Sequence, residues 1–194
     1  MLQSHIDYHH KPDRASRRTF TILEKIFTYL RVFGKRNIIL GKNTILKKNI
    51  TYRLTDGAKI KFGNNCVVDE NVCFILTKPN PELLLGNHVA ISRGTIIACK
   101  SKLVIGDHTR IATDVVIRDN VHDYKKGKLL INTDAIIKPI TIGKNVWICD
   151  KAMIFPGVII GDNSVISAGA IVTNDVKPNS VVAGQPARFI KEIK

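Results

Sequence analysis

"IGKNVWICDKAMIFPGVIIGDNSVISAGAIVTNDVK", residues 142–177, divides into six hexads that each open with an aliphatic residue. The fifth residue of each hexad is small or β-branched. A period of six fits neither an α-helix, with 3.6 residues per turn, nor a strand that alternates between two faces. It is typical of short strands joined by tight turns, three to a coil, which wind into a prism.

The same frame continues upstream, where further hexads begin at Leu40, Phe62, Val68, Leu85, Ile91, Ile97, Ile105, Ile111 and Ile117. We expect the first residue of each hexad to point inward and stack on its equivalent one coil away, with the fifth residue also inside. Gly, Asn and Asp cluster at positions two to four, where tight turns need unusual backbone angles. Stacked coils of this kind bury a continuous apolar core.

Three interruptions break the frame. The segment TKPNPE, residues 77–82, predicts a proline-rich turn, and Leu103 with Val104 adds two residues that predict a local bulge. After His122 the rhythm disappears and returns at Ile142, which predicts an extruded loop over residues 123–141. Long loops on a rigid scaffold are a common place for function.

The hexads resemble those of the left-handed parallel β-helix acyltransferases, and the resemblance covers residues 40–194. Within it, PITIGKNVWI, residues 139–148, is similar to a signature of maltose, galactoside and polysaccharide acetyltransferases. The resemblance implies an all-β, left-handed parallel β-helix that uses acetyl-CoA as acyl donor and no metal. It also implies a homotrimer, with each active site built from two subunits.

His122 is the candidate catalytic residue. Histidine titrates near neutral pH and can act as a general base. At the end of a strand beside a mobile loop, it is well placed to deprotonate an acceptor hydroxyl that then attacks a thioester. The segment VHDYKKGK that begins at Val121 resembles the family segment that holds the catalytic histidine.

The resemblance implies six positions along the acetyl-CoA cleft: Trp147, Asp150, Ala168, Thr173, Asn174 and Arg188. Trp147 would flank the thioester, the backbone near Asp150 would meet the pantetheine amides, and Arg188 would lie near the adenosine phosphates. The family commonly has a lysine where this chain has Asn174, so one phosphate-pairing cation is missing there. Lys177 or Arg188 are the candidates to replace it, and lower nucleotide affinity is the alternative.

The candidate acceptor-binding residues are Ser92, Lys100 and Asp119. Ser92 and Lys100 fall where the galactoside and maltose enzymes carry an Asn and an Asp, so the acceptor site differs. Lys100 favours an acidic sugar or a phosphate-bearing acceptor, with a solvated turn lysine as the alternative. We expect O-acetylation of a sugar hydroxyl in a surface polysaccharide or its precursor. N-acetylation of a nucleotide-linked amino sugar and xenobiotic acetylation are the alternatives.

Two other functional classes remain open. The γ-class carbonic anhydrases share this prism and hold a metal with three histidines. Here His88 and His108 occupy the same hexad position one coil apart, but the close HxxxxH pair of that family is absent. The two histidines are more simply stacked turn residues. A non-catalytic scaffold is the other class, and it predicts no thiol release from acetyl-CoA.

Residues 14–33 predict an amphipathic helix, because apolar side chains from Phe20 to Phe33 recur at steps of three and four. We assign residues 1–37 to a basic N-terminal segment and residues 38–194 to the β-helix. The helix is expected to pack on the first coils or on a neighbouring subunit. The alternative is a peripheral contact of residues 14–36 with anionic lipid at the inner membrane face.

The amino-acid composition indicates which binding partners and which cellular compartment to expect. The net charge of +14 favours an anionic partner, while 6% aromatic residues and the lack of a recognisable motif argue against nucleic acid. Four cysteines form no CxxC pair, which is typical of a reducing compartment, so a cytoplasmic protein is expected. No apolar run reaches the roughly 18 residues of a membrane span.

Overall fold

The computed structural model describes residues 21–78 and 80–194. Over these residues one α-helix, α1 (Ile22–Val32), precedes six coils of parallel β-helix. Coil one contains β1 (Ile38–Ile39), β2 (Ile45–Leu46) and β3 (Thr51–Leu54). Coil two contains β4 (Lys59–Lys61), β5 (Val67–Val68) and β6 (Cys73–Leu76), and coil three contains β7 (Glu82–Leu85), β8 (Ala90–Ile91) and β9 (Ile96–Cys99). Coil four contains β10 (Lys102–Ile105), β11 (Arg110–Ile111) and β12 (Val116–Arg118).

An excursion with strands β13 (Asn120–His122) and β14 (Ala135–Ile137) separates coil four from coil five. Coils five and six contain β15 (Ile140–Ile142), β16 (Trp147–Ile148), β17 (Met153–Ile154), β18 (Ile159–Ile160), β19 (Val165–Ile166) and β20 (Ile171–Val172). The chain ends in β21 (Ser180–Gly184) and β22 (Ala187–Glu192). The first, second and third strands of successive coils pair to form face A, face B and face C of the prism. The chain turns at the A–B, B–C and C–A corners between them.

The hexad frame points its first residue inward, as predicted. On face C, Ile97, Ile117, Ile154 and Val172 are aligned in successive strands, and each is almost completely buried. Burial of apolar surface contributes about 25 cal/mol per Å², so stacked aliphatic columns of this kind dominate the stability of the fold. The fifth residues also lie inside, including the small Ala152.

The turn at the A–B corner depends on its fourth hexad residue, which adopts a left-handed conformation. Asn145 and Asn163 have φ of 53° and 59°, and asparagine tolerates this region better than most residues. Asn145 Nδ2 donates to Asn163 Oδ1 at 3.0 Å, and Asn163 Nδ2 donates to Asn179 Oδ1 at 3.0 Å. These amides form a ladder that joins neighbouring coils.

His88 and His108 occupy the same turn position in coils three and four. Their φ values are 58° and 62°, and their rings stack at 4.8 Å between centroids with an interplanar angle of 5°. The prediction that they are stacked turn residues is therefore confirmed. The two imidazoles extend the asparagine ladder through the middle of the corner, since Asn65 Nδ2 lies 3.4 Å from His88 Nε2.

A glycine precedes this turn because the coils approach closely there. A Cβ on Gly106 would lie 2.6 Å from the carbonyl carbon of Gly143 in the next coil. Real Cβ atoms do not come so near to backbone, so a side chain at Gly106 would push coils four and five apart.

The bulge predicted at Leu103 and Val104 is wrong. Both residues lie inside β10, which pairs without a register shift with β7 on one side and β15 on the other. Leu103 is completely buried. The strand is simply longer and points two residues, Leu103 and Ile105, into the core.

Helix α1 begins with a capping box, in which Glu24 N donates to Thr21 Oγ1 and Thr21 N donates to Glu24 Oε2. The predicted residues 14–20 lie outside the described residues. The helix packs on the first coil through its buried Thr28, whose hydroxyl accepts a hydrogen bond from Leu46 N at 3.1 Å. Arg31 Nη1 donates to the carbonyl oxygen of Leu46 at 2.8 Å. The contact is therefore made by Thr28, Arg31 and the partly buried Val32, and not by the predicted apolar stripe.

Candidate active site

The chain leaves the prism at the C–A corner, directly after β12. Strands β13 and β14 pair antiparallel, so that Asn120 lies opposite Ile137 and His122 opposite Ala135. At the base, Lys138 N donates to the carbonyl oxygen of Asp119 at 2.9 Å. The excursion is therefore a β-hairpin with an anchored base, and the chain rejoins face A at Ile140, two residues before the hexad frame returns.

His122 lies at the end of β13, where the hairpin opens into its loop. Its side chain is exposed, and its carbonyl oxygen accepts a hydrogen bond from Tyr124 N at 3.1 Å. No described residue hydrogen-bonds the imidazole, so the ring is available to a substrate. Beside it, Lys125 Nζ lies 2.7 Å from Asp123 Oδ2, and this hydrogen bond raises the pKa of Lys125.

Asp119 anchors the corner from which the hairpin emerges. It is completely buried, and its carboxylate accepts hydrogen bonds from Lys100 N at 2.8 Å and Ser101 N at 2.7 Å. The Ser101 hydroxyl donates at 2.9 Å and Asn120 Nδ2 at 3.0 Å. Burial, with the nearby Asp119 charge, raises the pKa of the Cys99 thiol to about 12. The carboxylate is thus engaged by the turn of the preceding coil.

The candidate acceptor residues lie on different corners. Lys100 is half-buried at the C–A corner, the corner from which the His122 hairpin leaves. Ser92 follows β8 at the B–C corner, where its backbone N–H donates to the carbonyl oxygen of Ile111 at 2.8 Å. Within one chain the structure therefore groups Lys100 and Asp119 with His122 but not Ser92.

Three of the six candidate cofactor residues lie on face B or at its edge. Trp147 points outward from β16 and is 45% exposed. Asp150 and Ala168 occupy equivalent places at the B–C corner in successive coils, where Gly169 N donates to the carbonyl oxygen of Asp150 at 2.9 Å. The Asp150 carboxylate accepts a hydrogen bond from Thr113 N at 2.9 Å and is therefore already engaged within the protein. The groups available to a ligand on this side are backbone groups and the Trp147 side chain.

The other three cofactor candidates lie at the C-terminal end of the prism. Thr173 and Asn174 are exposed at the C–A corner after β20, and Arg188 is exposed on β22. Asn174 and Arg188 line a cavity of about 620 Å³ together with Lys177. Two cations thus face the cavity beside Asn174, although Asp175 and Glu192 also line it. Lys177 was predicted only as a substitute for the missing lysine, and β22 places Arg188 on the same cavity.

An apolar column runs down the outside of face C. It consists of residues that are aligned in register from β6 to β20: Cys73, Ile96, Val116, Met153 and Ile171. Outward positions on a solvated sheet are normally polar, so a continuous apolar column indicates a contact surface. Face A is mixed. One of its outward columns contains Lys61, Leu84, Val104, Thr141 and Ile159. Lys59 and Lys102 are exposed beside this column.

Two negative findings apply to the residues that the structure describes. They contain no group of three His, Cys, Asp or Glu side chains arranged to hold a metal ion. None of their helices is both long enough and apolar enough to cross a membrane.

Comparison with known proteins identifies the repeat. Residues 139–174 match the family model described as bacterial transferase hexapeptide (six repeats). Galactoside O-acetyltransferase of Escherichia coli K12 is 50% identical over 91 residues, which are 47% of this chain and 44% of that protein. A putative acetyltransferase of Saccharomyces cerevisiae is 38% identical over 111 residues, 57% of this chain and 56% of that protein. The chain thus spans about half the length of these relatives.

Solved structures give the same fold. A hexapeptide-repeat acetyltransferase of Vibrio cholerae complexed with acetyl-CoA has a TM-score of 0.63 at 22% identity, over 89% of this chain and 79% of that one. Galactoside acetyltransferase in complex with CoA has a TM-score of 0.52 at 34% identity, over 75% and 65% of the two chains. AntD, an N-acyltransferase of Bacillus cereus, has a TM-score of 0.74 at 20% identity, over 84% and 88%. The predicted left-handed β-helix and the resemblance to hexapeptide-repeat acetyltransferases are confirmed.

Proposed function

Because the chain carries the hexapeptide repeat of bacterial transferases, we propose that it is an acetyl-CoA-dependent O-acetyltransferase acting on a sugar hydroxyl. The observation that carries the proposal is the position of His122. Its exposed imidazole lies on a hairpin that leaves the prism just before the matched segment, residues 139–174. The similarity to galactoside O-acetyltransferase supports O-acetylation of a carbohydrate.

In the proposed reaction, the neutral His122 imidazole accepts the proton of the acceptor hydroxyl. The hydroxyl oxygen attacks the thioester carbonyl, and a backbone N–H stabilises the developing oxyanion. When the tetrahedral intermediate collapses, the C–S bond breaks and the imidazolium returns its proton to the sulfur of CoA. The products are the acetyl ester and free CoA thiol. The absence of a hydrogen bond from any described residue to the imidazole leaves the ring open for this exchange.

For the cofactor, we propose that Trp147 flanks the thioester and that the backbone at Asp150 and Ala168 binds the pantetheine arm. The 620 Å³ cavity at the C-terminal end would hold the nucleotide, beside Thr173 and Asn174. Lys177 and Arg188 line that cavity and would pair with phosphate oxygens. Their positions support the proposal that they replace the lysine that the family commonly has where this chain has Asn174.

We further propose a homotrimer whose sites lie between subunits. His122 and Lys100 lie at the C–A corner, whereas Ser92, Asp150 and Ala168 lie at the B–C corner. A second copy that brings its B–C corner against the C–A corner of the first would complete the constellation, and a heterologous contact of this kind closes into a ring. The apolar column on face C supports such a contact.

The acceptor we propose is a carbohydrate of a surface polysaccharide or its precursor, modified in the cytoplasm. Lys100 supports an acidic sugar or a phosphate-bearing acceptor, because its side chain shares the C–A corner with His122. Asp119 would act through this corner, since its carboxylate holds the backbone of Lys100 and Ser101. A peripheral contact with the inner membrane face would fit the same location.

The test measures CoA release from acetyl-CoA with a panel of sugars, amino sugars, nucleotide sugars and glycan fragments. His122→Ala should lower kcat/KM by about 10² or more, because a general base contributes 10²–10⁴-fold. The matched control is His108→Asn, which keeps a residue type found at this turn elsewhere, as at Asn145. Equal activity of the His122 variant would exclude the mechanism, and turnover with amino sugars alone would replace O-acetylation by N-acetylation. If no acceptor reacts and calorimetry shows no acetyl-CoA binding, the protein is a scaffold.

A further inference from the structure

Helix α1 turns its apolar side away from the protein. Thr28 is buried against β2, and Val32 packs beside it against the core. The opposite side of the helix carries six exposed apolar residues: Ile22, Leu23, Ile26, Phe27, Leu30 and Phe33. Leu30 is 61% exposed and Phe33 is 86% exposed. We call these six residues the outer stripe.

This orientation differs from that of an ordinary surface helix, which buries its apolar stripe against the core. Exposed apolar area costs about 25 cal/mol per Å², and contiguous patches of this kind mark interaction sites. The outer stripe is exposed along its length, although the Arg31 guanidinium lies 5.8 Å from the centre of the Phe27 ring. The helix is nevertheless held firmly, because Thr28 and Arg31 hydrogen-bond the backbone of Leu46. These hydrogen bonds fix the orientation of the helix, so the outer stripe faces away from the β-helix.

Positive charge lies next to the C-terminal end of the outer stripe, where the exposed Lys35 and Arg36 follow the helix. Lys25 instead faces the protein, because its Nζ donates to Asn43 Oδ1 at 3.0 Å. Between α1 and β3 lies a cavity of about 520 Å³ whose lining includes Arg31, Lys35 and Lys48 but no carboxylate.

The same cavity is lined by Tyr52, and Lys35 Nζ lies 5.9 Å from the centre of the Tyr52 ring. Two acidic residues lie close by. Glu24 and Glu70 line the smaller neighbouring cavity, and Glu70 Oε2 is 3.8 Å from Lys48 Nζ. Neither of these two acidic residues lines the 520 Å³ cavity, whose charged lining residues are Arg31, Lys35 and Lys48.

We propose that this end of the molecule docks on an anionic phospholipid surface. The outer stripe enters the boundary between headgroups and acyl chains, while Lys35 and Arg36 contact lipid phosphates. The cavity lined by Arg31, Lys35 and Lys48 takes one headgroup phosphate. Charge favours a lipid surface over a face-to-face second copy, because the second copy would set these cations against their own equivalents.

The experiment is co-sedimentation of the full chain with two kinds of vesicle. One contains phosphatidylcholine alone, and the other also contains phosphatidylglycerol at a mole fraction of about 0.3. We expect binding to the anionic vesicles only, weakened in about 0.5 M salt, roughly three times physiological ionic strength. Leu30→Ser should reduce the binding constant by about tenfold, and Lys35→Gln with Arg36→Gln should reduce it about tenfold as well. Arg31 is left unchanged because it holds the helix in place.

The matched controls remove the same types of side chain, one aliphatic residue or two cations, from face A. Ile159→Ser removes an exposed aliphatic residue from face A, and Lys59→Gln with Lys61→Gln removes two exposed cations there. Wild-type binding in both controls, with intact circular dichroism in all variants, would support the proposal. Equal losses in the controls, or no binding of the wild type, would overturn it. A lower protomer number of Leu30→Ser by light scattering would overturn it in favour of a second copy on the outer stripe.

Discussion

At the scale of single residues, the carboxylate of Asp119 is the most constrained group near the proposed active site. Four hydrogen bonds reach it, and two of them come from consecutive backbone N–H groups, those of Lys100 and Ser101. It therefore fixes the turn of coil three beneath the hairpin of coil four. A residue placed this way positions the corner, while the exposed His122 remains free to react.

We predict that Asp119→Asn lowers the free energy of unfolding by about 2 kcal/mol, because one carboxylate oxygen becomes an amide that faces buried donors. Urea unfolding at fixed protein concentration measures the change. Asp123→Asn is the control, since it removes an ion pair with the exposed Lys125 that solvent screens and that contributes little to stability. Equal destabilisation of the two variants would contradict the anchoring role of Asp119.

Sequence patterns could identify His122 and the hexad core but not the role of Asp119. Inward residues such as Ile117 and Ile154 repeat in every coil, so the pattern alone determines where they point. The hydrogen bonds of Asp119 reach back to Lys100 and Ser101, and their partners depend on how two coils of unequal length align. The same dependence on alignment made the bulge prediction at Leu103 wrong, because neighbouring strands supply partners for the extra residues.

At the scale of elements, α1 acts as the end cap of face B. The Thr28 hydroxyl donates to the carbonyl oxygen of Glu24 at 2.8 Å and accepts from Leu46 N at 3.1 Å. It therefore takes the place of the strand that would otherwise pair with this edge of β2. The helical pattern predicted which side of the helix is apolar, but it could not predict that a threonine would face the protein.

We predict that Thr28→Val exposes the Leu46 amide to hydrogen exchange at least tenfold faster, because loss of a buried hydrogen bond costs about 1–2 kcal/mol. Thr28→Ser is the matched variant, since it keeps the hydroxyl and should retain most of the protection. The readout is amide exchange of the β2 segment by mass spectrometry. Unchanged protection in Thr28→Val would mean that packing alone holds the helix.

At the scale of the whole molecule, the outward columns of face A and face C differ. The column on face A mixes Lys61 and Thr141 with aliphatic residues, whereas the column on face C, which includes Val116 and Met153, is apolar from β6 to β20. In the proposed trimer, face C contributes to the subunit contact and the two corners on either side of it supply the halves of the site. Composition alone could not distinguish the faces, because the outward residue of each hexad becomes meaningful only when the register of the coils is known.

We predict that Met153→Glu dissociates the assembly and abolishes acetyl transfer, because a buried unpaired charge in an interface costs several kcal/mol. Size-exclusion chromatography with light scattering measures the protomer number, and CoA release measures activity. Ile159→Glu on face A is the control and should leave both unchanged. A Met153→Glu variant that stays assembled would exclude face C as the contact surface.

The two ends of the β-helix also set its length. A parallel solenoid could in principle continue without limit, because the last strand of each face offers unpaired backbone groups to any further strand. Here the Thr28 hydroxyl occupies such a place at the first coil, and β22 reverses direction against β21 at the other end. Both terminators act on face B, where they interrupt the parallel stacking of strands at its two ends. Without them, the repeat that gives the protein its stability would also be a template for filament growth.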